Sequence, residues 1–214
     1  MRHGRLLLAL SCVALAALAL VRIGVAWRGK IHVGEARVTL GRIHGAQQAH
    51  HQAHGRYAAT LGELGLRPHP GNRYAWFLAP RGPAEVRDLE EPRPRPEAVV
   101  VGVDRHAHPD AAALLDFAAT GCPLTPPTDA RDRALLLGVH GRPPADDYLF
   151  AVAGDLDGDP ELDCWSISSL PRVAADGEPI PAGVPWRESS DFHATLWERL
   201  AGSQGSELPR PKLR

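Results

Sequence analysis

Residues Glu35–Leu78 read EARVTLGRIHGAQQAHHQAHGRYAATLGELGLRPHPGNRYAWFL, and the rest of the chain is best understood from this segment. Its first half carries one set of residues at three- and four-residue spacing, which lines one face of a helix with 3.6 residues per turn. The members of this face are Ala36, Leu40, Ile43, Gln47, His50 or His51, and His54. Gly55 follows them, and glycine tolerates the left-handed conformation that commonly ends a helix. The pattern predicts a long helix that ends before Gly55 and buries one face.

The second half of the segment predicts a short helix and a first strand. Thr60 can cap a helical turn that runs to Leu64, while Glu63 reaches back toward it. Prolines and a glycine then break the helical pattern. The aromatic-rich run Arg73–Leu78 is typical of a strand.

Further elements follow along the chain. Apolar or β-branched composition predicts strands at Ala98–Val103, Tyr148–Ala153 and Cys164–Ser168. Short helices are predicted at Asp110–Ala118 and Asp191–Leu200. The sum is an α+β fold, in which a long N-terminal helix packs on a small antiparallel sheet.

Several short segments of the sequence resemble type IV pilin-like proteins of deltaproteobacteria. They are EARVTL, AQQAHHQAHGRY, ELGLRP, GNRYAWFL, VGVDRHAHPD, YLFAVAGDLDGDPELDCWSIS and GEPIPAGVPW, which occur in this order between Glu35 and Trp186. The resemblance implies a pilin-like head and a structural role in which the N-terminal helix packs against other pilin-like subunits. It implies a protein of a type IV pilus or a type II secretion pseudopilus.

The N-terminal segment predicts a membrane anchor. Leu6–Val21 is an apolar run, interrupted by Ser11, behind a basic start, and its helix would span about 24 Å of the roughly 30 Å hydrocarbon core. Adding Ile23–Trp27, with Arg22 snorkelling, reaches the full thickness. The alternative is a cleavable signal peptide, because Ala14–Ala16 and Ala17–Ala19 both offer small residues at the cleavage spacing. We expect residues 1–30 to be the anchor or signal segment, 31–200 the globular domain, and 201–214 a flexible tail.

The resemblance is weakest at this end. Pilins carry a leader that ends in glycine, and then a Phe and a Glu inside the apolar run. Here Gly4 precedes Arg5, and the first acidic residue is Glu35. The missing Glu would pair with the amine of a neighbouring subunit. Two hypotheses follow: an inner-membrane, single-pass assembly subunit with its head in the periplasm or outside the cell, or a non-polymerising periplasmic binding module with a pilin-like head.

An acidic loop, GDLDGDPELD, separates two of the predicted strands. Its alternating carboxylates resemble the start of calcium loops, where hard oxygen ligands surround the ion. The candidate ligands are Asp155, Asp157, Asp159 and Asp163. The helix–loop–helix context of an EF-hand is missing. The alternative is an acidic hairpin turn, because turns favour Asp and Gly.

Cysteines and histidines leave two further questions open. Cys122 and Cys164 lie in the part expected to be exported, where disulfides persist, and pilin-like domains often tie a C-terminal region in this way. The alternative is that Cys164 is a free, buried strand residue. His50 and His51 stand where the family pattern has aromatic residues, which favours packing at the helix–sheet interface over a metal site.

Composition and motifs argue against other classes of protein. The formal net charge is −1, so no electrostatic case for nucleic-acid binding exists. The sequence holds no phosphate-binding loop, nucleophile elbow or zinc-protease helix. We therefore expect neither enzymatic activity nor a small-molecule substrate.

Overall fold

The computed structural model describes residues 34–90, 95–127, 137–144, 146–156 and 161–189. Within them, a helix lies against a seven-stranded sheet, so the predicted α+β class is confirmed. The predicted anchor or signal segment, the Asp191–Leu200 helix and the tail 201–214 lie outside the described residues. Among the residues that are described, no helix combines the length and apolar character needed to cross a membrane.

Helix α1 covers residues 34–54 and ends as predicted at Gly55, whose φ of 68° is left-handed. Helix α2 is Leu61–Leu64, and the Thr60 side chain accepts a hydrogen bond from the Glu63 amide, as the sequence predicts. The strands are β1 Ala75–Phe77, β2 Ala84–Arg87, β3 Val100–Asp104, β4 Gly138–His140, β5 Asp147–Gly154, β6 Asp163–Ser168, β7 Arg172–Val173, β8 Pro179–Ile180 and β9 Trp186–Ser189.

The main sheet has the order β2-β3-β1-β5-β6-β9, with β4 also paired to β5, and β7 and β8 form a separate two-stranded sheet. The prediction of an antiparallel sheet is wrong at one edge, where β2 pairs with β3 in parallel. Because the pair is parallel, β3 begins at the end of the sheet where β2 begins, with Val100 opposite Ala84. There the amides of Val99 and Val100 both donate to the Pro83 carbonyl.

The predicted helix Asp110–Ala118 is also wrong. In its place residues 111–116 form no regular secondary structure, and Leu114 has a left-handed φ of 50°. The Val103 amide donates to the Ala113 carbonyl. A single 3₁₀ turn follows at Phe117–Thr120, capped by the Asp116 side chain. A tertiary hydrogen bond has therefore overridden a weak helical pattern.

Two hydrophobic layers cover the two faces of the sheet. One layer joins α1 to the sheet, and it contains Ala36, Leu40 and Ile43, all buried as the periodicity predicts. Gln47 is also fully buried, and its side-chain amide both donates to and accepts from the Ala58 backbone at 2.8 Å. The other layer lies under the irregular segment that contains Phe117.

Candidate assembly surface and acidic loop

The outward face of α1 is the surface that the head leaves open. Val38 has 63% of its surface exposed, and Gly41, Gly45 and Ala49 are exposed as well. With 100° between successive residues, Gly45 stands opposite the buried row that includes Leu40. An exposed row of small or apolar residues therefore lies along the middle of this face, together with the exposed polar residues Arg42 and Gln52.

The two glycines of this row are not required by the fold. A Cβ atom built on Gly41 or Gly45 would meet nothing within 4 Å. Glycine inside a helix costs about 1 kcal/mol relative to alanine. Two helical glycines four residues apart thus weaken the helix while leaving open space above its backbone. Small residues at this spacing allow another helix to approach closely.

Basic and aromatic side chains border the exposed row on one side. The Arg37 guanidinium lies 5.0 Å from the centre of the Trp165 ring, and Arg187 lies 5.6 Å from the same ring. About two helical turns further along α1, His44 Nδ1 is 2.5 Å from the Tyr148 hydroxyl. The loop at Gly183 passes so close to His44 that a Cβ there would approach the ring to 2.5 Å. This side of α1 is therefore fixed by contacts with the sheet and with the loop before β9.

Glu35 fastens the described start of α1 to the strand region. One carboxylate oxygen accepts a hydrogen bond of 2.8 Å from the Arg73 amide. Burial raises the pKa of Glu35, and the hydrogen bonds from the Arg73 and Tyr74 amides lower it by less. The Glu35 carboxylate therefore forms a hydrogen bond within the head, between α1 and the segment before β1.

The acidic loop is described only at its two ends. Asp155 is half-buried at the end of β5, and Asp163 is fully buried at the start of β6. Asp157 and Asp159 lie outside the described residues. No group of three or more metal-ligand side chains occurs in the ranges that are described. The proposed calcium ligands therefore stay a prediction.

Asp163 has partners that the sequence did not indicate. Its carboxylate accepts hydrogen bonds from the Tyr74 hydroxyl at 2.5 Å, from Trp165 Nε1 at 2.6 Å and from Arg187 Nε at 2.7 Å. Burial and the negative charge of Asp163 raise the pKa of Tyr74 well above its usual range. Asp163 thus joins β6 to β1 and β9, and a cation would compete with three donors for its oxygens.

The disulfide between Cys122 and Cys164 is present, which settles the question that the sequence left open. It connects the irregular segment after the 3₁₀ turn to β6, with the two Cα atoms 5.9 Å apart. Cys164 is buried in the layer opposite α1. The bridge therefore holds the irregular segment against the sheet.

Three buried ion pairs, which involve two arginines, were also missed from the sequence. Arg87 lies 2.7 Å from Glu85 and 3.4 Å from Asp104, and Arg172 lies 3.0 Å from Glu188. All five side chains are almost fully buried. The only signal in the sequence was Glu and Arg at alternate positions of an edge strand, which is equally typical of a solvated strand face.

Comparison with known proteins identifies the family. Residues 28–163 match the family model for type IV pilin PilA, and this range contains α1 and the sheet as far as the first residue of β6. Comparison with curated proteins gives no match. Because the family match covers more than half of the chain, this protein belongs to the type IV pilin PilA family.

Proposed function

We propose that this protein is an assembly subunit of a type IV pilus or of a type II secretion pseudopilus. In this proposal, residues 1–30 anchor it in the inner membrane by a single pass, and its head faces the periplasm or the cell exterior. The exposed row of α1 packs against other pilin-like subunits. A deltaproteobacterial type is part of the proposal, supported by the short sequence segments shared with those proteins.

The open helix face with two glycines is the observation that carries this proposal. Burial of Leu40 and Ile43 explains how the opposite face of α1 is used within the subunit. No contact within the described head uses the space above Gly41 and Gly45. Membership of a pilin family supplies the natural occupant of that space, which is the helix of a neighbouring subunit.

Gly45→Leu separates assembly from folding. A leucine here has room in the isolated subunit and a better helix propensity than glycine, by about 0.8 kcal/mol. We expect the melting temperature of the full-length protein to stay constant or rise. Sheared filaments or cross-linked multimers from the native membrane should fall at least about tenfold, since the larger side chain blocks close approach of a second helix.

Ala112→Leu is the matched control. Ala112 is also small and exposed, but it lies beside the residues that cover the other face of the sheet. This variant should assemble as the wild type does. Normal assembly of Gly45→Leu would show that the glycine row is not a subunit contact.

The second candidate is a periplasmic binding module that does not polymerise and is stabilised by calcium. The absence of acidic residues between Met1 and Gly34 favours it, because the acid expected to guide assembly is missing there. Its calcium site would use Asp155, Asp157 and Asp159, with Asp163 as the fourth candidate. Wild-type protein that gives no multimers in its native membrane would support this candidate over the first.

Calcium titration tests the site itself. If the loop binds the ion, millimolar calcium should raise the melting temperature of the wild type, because a ligand that binds only the folded state stabilises it. Asp157→Ala should remove this rise. Equal melting temperatures with and without calcium would reduce the loop to an acidic turn.

A further inference from the structure

Asp146 is a buried carboxylate just before β5, and only one of its oxygens is hydrogen-bonded. Its side chain is 2% exposed. Oδ2 accepts a hydrogen bond of 2.8 Å from the Tyr57 amide, in the segment that follows α1. Oδ1 is buried and accepts no hydrogen bond from any residue in the described ranges. A buried carboxylate oxygen without a donor is costly, so the surroundings of Oδ1 matter for stability.

His51 is the nearest titratable group that could compensate this charge. Its Nε2 atom lies 3.6 Å from Oδ1 of Asp146, within ion-pair distance but longer than a hydrogen bond. The imidazole ring packs on Tyr57 with the ring centres 4.5 Å apart. His51 therefore contacts both the carboxylate and the residue whose amide the carboxylate holds.

Other charged and titratable groups near this pair are already engaged or differ in sign. Arg56 acts on Asp146 electrostatically, but its guanidinium is 2.6 Å from Glu63. On α1, His50 and His54 pack on each other, with ring centres 4.3 Å apart. His44 bonds to Tyr148 on β5, and burial lowers the pKa of His44, so acid weakens the fold there. Asp147, the next residue, also has interactions of its own.

We propose that His51 and Asp146 form a pH-dependent latch, which fastens the end of α1 and the Tyr57 segment to the start of β5. Protonated His51 places a positive charge 3.6 Å from Oδ1, and the attraction between the two charges holds these side chains together. Histidine side chains as a class change charge near neutral pH, so a rise in pH weakens this ion pair. The latch is therefore closed in acid and loosened in mild alkali.

Hydrogen exchange of the Tyr57 amide reports the latch directly, because that amide donates to Asp146. The protection factor, corrected for intrinsic exchange, is measured on the full-length protein at about pH 5.5 and about pH 8, on either side of the usual histidine range. It should fall about threefold at the higher pH, the size expected of a partly exposed ion pair. Equal protection at both values of pH would overturn the proposal.

Three variants test whether His51 and Asp146 cause the pH dependence of the Tyr57 amide protection. His51→Gln removes the titrating group, and Asp146→Asn removes the charge but keeps an oxygen that accepts from Tyr57. Each should make the protection ratio close to one. His54→Gln, an exposed histidine on the next turn, should keep the wild-type ratio. If His54→Gln removed the pH dependence, or if both His51→Gln and Asp146→Asn retained it, the latch would be wrong.

Discussion

The two faces of the sheet are covered in different ways, and their side chains differ accordingly. Towards α1, β5 presents Tyr148, Phe150 and Val152. Towards the irregular segment, the same strand presents Leu149 and two alanines, Ala151 and Ala153. Strand β5 therefore has large side chains on the face towards α1 and mainly small side chains on the opposite face.

The coverings explain this asymmetry. A helix is a cylinder about 10–12 Å wide, and large side chains are needed to fill the space between it and a sheet. An irregular segment can lie flat on the strands. At Gly102 a Cβ would come within 3.1 Å of the Ala113 carbonyl oxygen and within 3.0 Å of the Leu115 side chain. Here the irregular segment lies so close to the strand that a side chain at position 102 would force its neighbours to shift.

The two layers should consequently fail in different ways. The hydrophobic layer between α1 and the sheet, here called the helix layer, depends on apolar packing along the whole length of α1. One buried charge should therefore disrupt it entirely. The layer under the irregular segment that contains Phe117, here called the coil layer, depends on local attachments. These are the Cys122–Cys164 bridge and hydrogen bonds such as that from the Phe117 amide to the Pro80 carbonyl. Losing an attachment should loosen that layer first.

Ile43→Asp should have the largest effect. Ile43 is 1% exposed in the helix layer, and an unpaired carboxylate there costs several kcal/mol. We expect a loss of more than about 4 kcal/mol in the free energy of unfolding, which approaches the whole stability of a small domain. Urea unfolding of the full-length protein measures it.

Ala49→Asp on the exposed side of the same helix is the control for Ile43→Asp. It introduces the same charge without burial, and its loss of helix propensity is at least as large because alanine is the best helix former. It should cost less than about 1 kcal/mol. Comparable losses in the two variants would mean that helix propensity, and not packing on the sheet, governs this layer.

Removing the disulfide should have the second largest effect. The bridge closes a separation of 42 residues, for which loop entropy predicts about 3–4 kcal/mol. In the double variant Cys122→Ala with Cys164→Ala, amides of the coil layer should lose protection from hydrogen exchange before those of α1. The Phe117 and Leu40 amides provide the comparison. Equal losses at both positions would show that the two layers unfold as one unit.

The helix layer was largely predictable from the sequence, and the coil layer was not. The spacing of Leu40, Ile43 and Gln47 follows directly from helix geometry. The cap at Thr60 and the stop at Gly55 are local signals that need no tertiary information. By contrast, the segment 110–118 is held by hydrogen bonds to distant parts of the chain, from the Val103 amide to the Ala113 carbonyl and from the Phe117 amide to the Pro80 carbonyl. No local pattern encodes those bonds.

The sites show the same division. The glycines of the exposed row are visible in the sequence, but whether their space is open depends on everything that packs around α1. Asp163 looked like part of an acidic loop, because four neighbouring acids dominate the local sequence. Its partners Tyr74 and Arg187 are 89 and 24 residues away, so only the sheet order brings them together.

The smallest predicted effect concerns helix α2, which packs at the end of the helix layer. Helix α2 buries Leu61 and Leu64 in that layer, and Glu63 holds its first turn by accepting a hydrogen bond of 2.7 Å from the Ala59 amide. The hydrogen bond from Arg56 is the main cause that lowers the pKa of Glu63 from 4.5 to about 2. The folded state therefore favours the carboxylate, and its contribution is present above about pH 4.5 and lost as the pH falls toward 2.

Glu63→Gln should accordingly destabilise the protein only when the carboxylate is charged. The side chain is 32% exposed, so we expect the loss to be that of a capping contact, about 0.5–1 kcal/mol at neutral pH. The difference from the wild type should shrink as the pH falls below about 4.5, measured by urea unfolding at a series of pH values. Glu97→Gln, at an exposed acid before β3, should give no such trend. If the loss in the free energy of unfolding were the same at every pH, Glu63 would act through its shape and not through its charge. Helix α2 would then not depend on the ion pair with Arg56.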